Sequence, residues 1–178
     1  MTTEPQSTYT IHPVQNLDFW RVPILAALTE IREKTEGRYS GEQIFDTFRD
    51  KVNRPDVFAL WMVVEAGENG PLESVVALVT LDLWVDECYK PFTFISRVWG
   101  KAGVWERNLL QMVMPKIEEW GRERTPARQK PRFMLMGGRV SRCQHGDKRE
   151  TAALMYEREG KRFGFVRRET IFEKELQR

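Results

Sequence analysis

The chain has 178 residues, 28 lysines and arginines against 26 aspartates and glutamates, and 41% hydrophobic residues. That length and apolar content support one packed domain, and the near balance of charge excludes global disorder and bulk coating of a polyanion. Two cysteines, Cys88 and Cys143, are too few for a disulfide framework and lack the company of a zinc site, so no metal is expected.

No apolar run approaches the roughly 18 residues of a membrane span. The opening Met1-Thr2-Thr3-Glu4-Pro5 carries no basic or apolar segment, so no signal peptide is expected. The chain therefore reads as soluble and cytoplasmic, with no membrane partner. Residues 1–8 read as an N-terminal tail and residues 9–178 as a single domain.

The first expected element is a short strand at Tyr9-Thr10-Ile11-His12. Leu17, Trp20, Ile24, Leu28 and Ile31 then recur at helical spacing, and Pro23 either kinks that helix or opens it at its first turn. Ser40-Gly41-Glu42-Gln43 fits a capping box ahead of a second helix with Ile44, Phe45, Phe48 and Val52 on its apolar face. Asn53-Arg54-Pro55-Asp56 breaks it.

Two long apolar runs, 58–66 and 74–85, flank a Gly67-Glu68-Asn69-Gly70-Pro71 turn, and a third, 92–98, follows Lys90-Pro91. These predict an antiparallel meander. Trp99-Gly100-Lys101-Ala102-Gly103 ends the third strand and opens a long helix with Trp105, Leu109, Val113, Ile117 and Trp120 on one face and Pro115 on the other. A short strand at Phe133-Met134-Leu135-Met136, a helix over about 147–163 and a strand pair within 165–176 complete the reading. The fold class is α/β (α+β): a mixed, mostly antiparallel sheet of six or seven strands with helices on both faces.

Charge is unevenly spread. Residues 122–149 hold nine basic residues against two acidic ones, a local +7 on an otherwise acidic chain. This block is open to three readings: recognition of a phosphate, contact with nucleic acid, or solvated surface. Phe133 is its one aromatic residue, so it lacks the stacking side chains of a nucleic-acid site, and no nucleic-acid partner is expected.

The element order, with a glycine-containing turn between the third strand of the meander and the longest helix, resembles the GCN5-related N-acetyltransferase (GNAT) family. That family's turn signature is Q/R-x-x-G-x-G/A, and Arg97-Val98-Trp99-Gly100-Lys101-Ala102 fits it. The resemblance implies a bulged fourth strand splayed from the fifth, with acetyl-CoA in the cleft and its pyrophosphate on the turn. Small residues let backbone N–H groups approach phosphate oxygens there, and the helix dipole favours the negative charge. Arg97, Val98, Trp99, Gly100, Lys101, Ala102 and Gly103 are thus the implied cofactor-binding residues. Gly100 is expected to sit in a surface turn as its most sensitive member. The ending Phe163-Gly164-Phe165 and the helix segment Ile117-Glu118-Glu119-Trp120-Gly121 look most like divergent GNAT-like proteins of tailed bacteriophages.

The resemblance implies transfer of acetyl from acetyl-CoA to an amine. The family's acid tyrosine stands four residues before the glycine of Gly-Phe, where this chain has Gly160. Tyr156, two helical turns before Gly164, is the candidate acid. The strand 92–98 offers no carboxylate base, while Glu65, Asp82 and Asp86 are other carboxylates within reach of a cleft. Cys143-Gln144-His145 lacks a third orienting group and reads as a solvated loop. The alternative is a catalytically silent GNAT-like binding or structural protein, such as a virion component whose partners are other virion proteins. Trp99 and Trp105, which flank the turn, are the bulky candidates for plugging the cleft in that reading.

Overall fold

The computed structural model describes residues 9–35, 39–66, 70–72, 74–101 and 109–135. They form β1 (Tyr9–Pro13), α1 (Arg21–Thr35), α2 (Gly41–Lys51), β2 (Phe58–Glu65), β3 (Val75–Val85), β4 (Pro91–Gly100), α3 (Leu109–Glu123) and β5 (Phe133–Leu135). The expected final helix and strand pair lie outside the described residues, so the sheet seen here has five strands.

Local chemistry accounts for most boundaries. α1 begins at Arg21, later than the helical spacing from Leu17 suggests, and Pro23 falls in its first turn, where its missing N–H leaves no intrahelical bond unmade. Ser40 caps α2 reciprocally: its Oγ accepts from the Gln43 amide at 3.1 Å, and its own amide donates to Gln43 Oε1 at 2.8 Å. Pro115 is exposed on α3, opposite the buried Leu109, Val113, Ile117 and Trp120.

The sheet runs in sequence order, β1-β2-β3-β4-β5, antiparallel except for the parallel β4–β5 pair. A parallel neighbour requires a crossover, and α3 supplies it. Helices cover both faces. Phe58, Leu60, Met62, Val64, Val75, Leu78 and Trp99 pack with α1 and α2. Ala59, Trp61, Val63, Val79, Leu81 and Ile95 pack with α3. Double coverage explains why residues 58–66 read as a continuous apolar run without alternation.

Two register shifts interrupt the ladders. In β3, Val63 faces Ala77 while Val64 faces Val75, which makes Val76 an extra residue; Val76 and Ala77 both join the α3-side core. In β4, Arg97 faces Thr80 while Ile95 faces Leu81, so Ser96 is the extra residue. The described pairing between β4 and β5 runs from Thr93↔Phe133 to Ile95↔Leu135, immediately before that bulge. α3 approaches this junction closely: a Cβ on Gly121 would lie 2.6 Å from both the Phe133 ring and the Thr93 hydroxyl.

Candidate functional site at the β4 bulge

A bulge turns two neighbouring residues toward one face, and in β4 these are Ser96 and Arg97. Ser96 Oγ lies 2.8 Å from Thr80 Oγ1 and 3.3 Å from the Thr80 carbonyl oxygen, to which it donates. The Arg97 guanidinium sits 5.7 Å from the centre of the Phe48 ring on α2. Both side chains therefore face α1 and α2. Their neighbours on that face form a polar row: Asp82 on β3 is bonded by Lys51 Nζ at 2.6 Å, and Trp99 donates its indole N–H to Glu30 Oε2 at 2.8 Å.

Burial makes the row informative. Thr80 is fully buried, Asp82 is 8% exposed and Trp99 is 7% exposed. Buried polar atoms persist when they are partnered, and no buried side-chain N or O among the described residues is left unsatisfied. A shallow depression of about 240 Å³ opens beside Asp82, lined by Lys51, Arg54, Val57, Phe58, Asp82 and Leu83.

Of the implied cofactor-binding residues, Arg97, Val98, Trp99 and Gly100 belong to β4. The expected turn thus begins later than the motif suggests. Gly100 is buried opposite Ala77, and the Lys101 amide still donates to the Val76 carbonyl at 2.8 Å. The expectation that Gly100 occupies a surface turn is corrected on this point. The strand continues because β3 keeps offering ladder partners back to Val76. Ala102, Gly103, Trp105 and Tyr156 lie outside the described residues, as do Cys143, Gln144 and His145. Trp99 does not fill a cleft on the α3 side; it is packed into the α1/α2 core.

The three carboxylates separate clearly. Glu65 ends β2 opposite Tyr9. Asp86 closes the β3–β4 hairpin: its Oδ1 accepts from the Cys88 and Lys90 amides, both at 2.9 Å, and Arg132 bonds its other oxygen. Arg132 first, and those amides second, hold the Asp86 carboxyl below the usual carboxylate range. Tyr89 takes the left-handed conformation that this turn requires, at φ 57°. Asp82 alone of the three stands in the polar row, two residues along β3 from Thr80.

Three arginines of the basic block have partners within the chain. Arg122 pairs with Glu118 and Arg132 with Asp86. Arg124 stacks 4.2 Å over the Trp120 ring and donates to the Pro55 carbonyl. These residues sit at or beyond the C-terminal end of α3, roughly 20 Å of helix from its start.

Sequence reasoning missed Ser96, Thr80, Lys51 and Glu30. One trace was present: Ser96-Arg97 puts two consecutive polar residues into the run Phe92-Thr93-Phe94-Ile95-Ser96-Arg97-Val98, where strict alternation allows one. Glu30 and Lys51 left no such trace, because their partners are 69 and 31 residues away.

No family model matches the sequence, and no curated protein matches it. Solved structures do. Glucosamine-6-phosphate N-acetyltransferase from Arabidopsis thaliana is 12% identical with a TM-score of 0.59, over 96% of this chain and 99% of that one. A predicted acetyltransferase from Clostridium acetobutylicum, solved with acetyl-CoA, is 10% identical with a TM-score of 0.62, over 96% and 97%. A GNAT family acetyltransferase from Staphylococcus aureus is 13% identical with a TM-score of 0.58, over 94% and 98%. The chain has the GNAT fold. Among the described residues, no helix is long and apolar enough to cross a membrane.

Proposed function

We propose that this protein is an acetyl-CoA-dependent N-acetyltransferase acting on an amine. The observation that carries the reading is the bulge at Ser96, set in a fold shared over nearly the whole chain with acetyltransferases, one of them solved with acetyl-CoA. A bulge breaks the ladder at one residue and re-aims its backbone groups. An N–H released in this way suits a thioester carbonyl, whose oxygen gains charge as the amine attacks.

Acetyl-CoA supplies the activated acyl carbon. The chain would provide the rest. Arg97, Val98, Trp99 and Gly100 carry the strand to the turn, and Lys101, Ala102 and Gly103 lead into it, the small residues letting amides approach a pyrophosphate. The amine nitrogen forms a bond to the carbonyl carbon, the C–S bond breaks, the nitrogen gives up a proton to water or a base, and the thiolate takes one. Tyr156 is the proposed donor to sulfur.

The test is a thermal shift. CoA at one hundred times its dissociation constant stabilises the native state by about 2.7 kcal/mol, which raises the midpoint by roughly 5–10 °C in a chain of this size. No shift at millimolar CoA would sink the cofactor assignment.

One observation favours a second reading, a GNAT-fold binding protein without catalysis, for which a virion component remains the proposed setting. Strand β4 carries no Asp or Glu to act as base. CoA binding without acetyl transfer to any of a panel of primary amines, at pH values where those amines are deprotonated, would decide for it.

A further inference from the structure

We propose that Trp99 and Glu30 are positioning residues for the cofactor turn, an inference that rests on the acetyltransferase reading above. The resemblance places the pyrophosphate on the residues that follow β4, and the position of the end of β4 sets where those residues start. The β3 ladder contributes Gly100 opposite Ala77 and the Lys101 amide on the Val76 carbonyl. On the α1/α2 face, Trp99 is the anchor. Its indole is buried among Val75, Leu78 and the core residues of α1 and α2, and its N–H donates to Glu30 Oε2 at 2.8 Å.

The bond ties α1 to β4 two residues before Lys101. An indole N–H is a donor only, and a buried one needs an acceptor; a carboxylate is the strongest available. Arg97, on the same face, adds its guanidinium over Phe48. Two contacts on the α1/α2 face thus hold the end of β4. Without the anchor, the last residues of β4 spend part of their time displaced, and a ligand of the turn binds more weakly in proportion to the competent fraction.

The experiment uses the full chain, CoA as ligand, and four variants: Trp99→Phe, Glu30→Ala, their double mutant and Glu30→Gln. Two quantities are measured, hydrogen exchange of the Lys101 amide without ligand and CoA affinity by calorimetry at 15 °C. Trp99→Phe removes the donor and trims the indole to a phenyl ring; its CoA dissociation constant should rise at least about tenfold, the scale of one charge-assisted hydrogen bond alone. Lys101 exchange should accelerate by a similar factor.

Glu30→Ala should weaken CoA binding in the same direction, and the double mutant should fall short of the sum of the two singles, because both remove the Trp99–Glu30 bond. Glu30→Gln keeps an acceptor and should stay within about threefold of the parent. If Trp99→Phe does not fold, Glu30→Ala reads the same bond from the half-exposed side. Lowered melting midpoints with unchanged CoA affinity would make the pair structural only and overturn the inference. A parent chain that binds no CoA overturns the acetyltransferase reading instead, and the pair's role toward CoA with it.

Discussion

The two faces of the sheet are built to different rules. Toward α3 the side chains are almost wholly apolar: Trp61, Val63, Val79, Leu81 and Ile95 meet Leu109, Val113, Met114, Ile117 and Trp120, and the bulge in β3 adds two more apolar residues. Toward α1 and α2 the same strands present Thr80, Asp82, Ser96, Arg97 and Trp99, each engaged by a hydroxyl, a cation, a ring or a carboxylate. The bulge in β4 adds polar residues to that face. One face is a scaffold whose value is packing, and the other carries buried polar chemistry, which is costly unless it is satisfied and serves a purpose.

The largest effect that could break this contrast comes from the scaffold. Ile117 is fully buried, so Ile117→Ala should cost about 2–5 kcal/mol through lost transfer energy and an unfilled cavity. Denaturant titration reads that loss, and CoA affinity of the surviving folded fraction should be unchanged. A variant that keeps its stability and loses CoA would show that the α3 face is more than scaffold.

Gly121 comes next. In α3 its missing Cβ admits Phe133 and Thr93 at 2.6 Å, so Gly121→Ala must push α3 off the β4–β5 junction. Overpacking of this kind costs about 1–3 kcal/mol. The glycine is there for close approach and not for a special backbone angle, so Gly121→Ser should be no better. A thermal midpoint equal to the parent's would show that the junction yields freely.

On the polar face the Lys51–Asp82 pair predicts an asymmetry. Asp82 is buried, whereas the Lys51 side chain is 46% exposed. Lys51→Met strands a buried carboxylate and should cost about 1–3 kcal/mol. Asp82→Asn releases a lysine to water and should cost less, within the range of an exposed pair, about 0–1 kcal/mol. Equal losses in the two variants would mean that the pair is less buried on the Asp82 side than the structure has it.

The smallest effect lies in the hairpin. Asp86 titrates below its ordinary value of 3.8 because Arg132 and the loop amides favour its charged form. Its contribution is present above that ordinary value and is lost as pH falls through the lowered folded-state value. The protection factors of the Cys88 and Lys90 amides, taken against intrinsic exchange at each pH, should therefore hold through pH 4 and fall only at more acidic pH. Asp86→Asn, which keeps one acceptor oxygen and no charge, should remove that acid dependence. The exposed Lys116–Glu119 pair on α3 serves as a control, and its removal should leave stability unchanged.

How much was legible depended on where the partners were. The capping box at Ser40 was readable because both partners lie three residues apart in one turn. The buried face of α3 was readable for the same kind of reason: Leu109, Val113, Ile117 and Trp120 repeat at the period of one helix. Strand ends were less readable. Residues 92–98 read as a strand, yet β4 runs to Gly100, since a strand extends for as long as its neighbour offers carbonyls, and that neighbour is β3. Four residues of the motif Arg97-Val98-Trp99-Gly100-Lys101-Ala102, Arg97 to Gly100, stay in the sheet where the sequence reading had the strand end at residue 98.

By itself the sequence determined the element order from β1 to β5, the cap of α2 and the double-sided burial of the meander. All of these rest on interactions within a turn or on the period of one element. Tertiary structure alone decided that Trp99 turns toward α1, that Asp82 meets Lys51, that Ser96 occupies a bulge and that Arg124 and Arg132 are tied down inside the molecule. Each of those outcomes depends on groups brought together across 16 to 69 residues of chain. Side-chain direction and charge pairing at such separations follow from how the two faces of the sheet are covered, which no local pattern records.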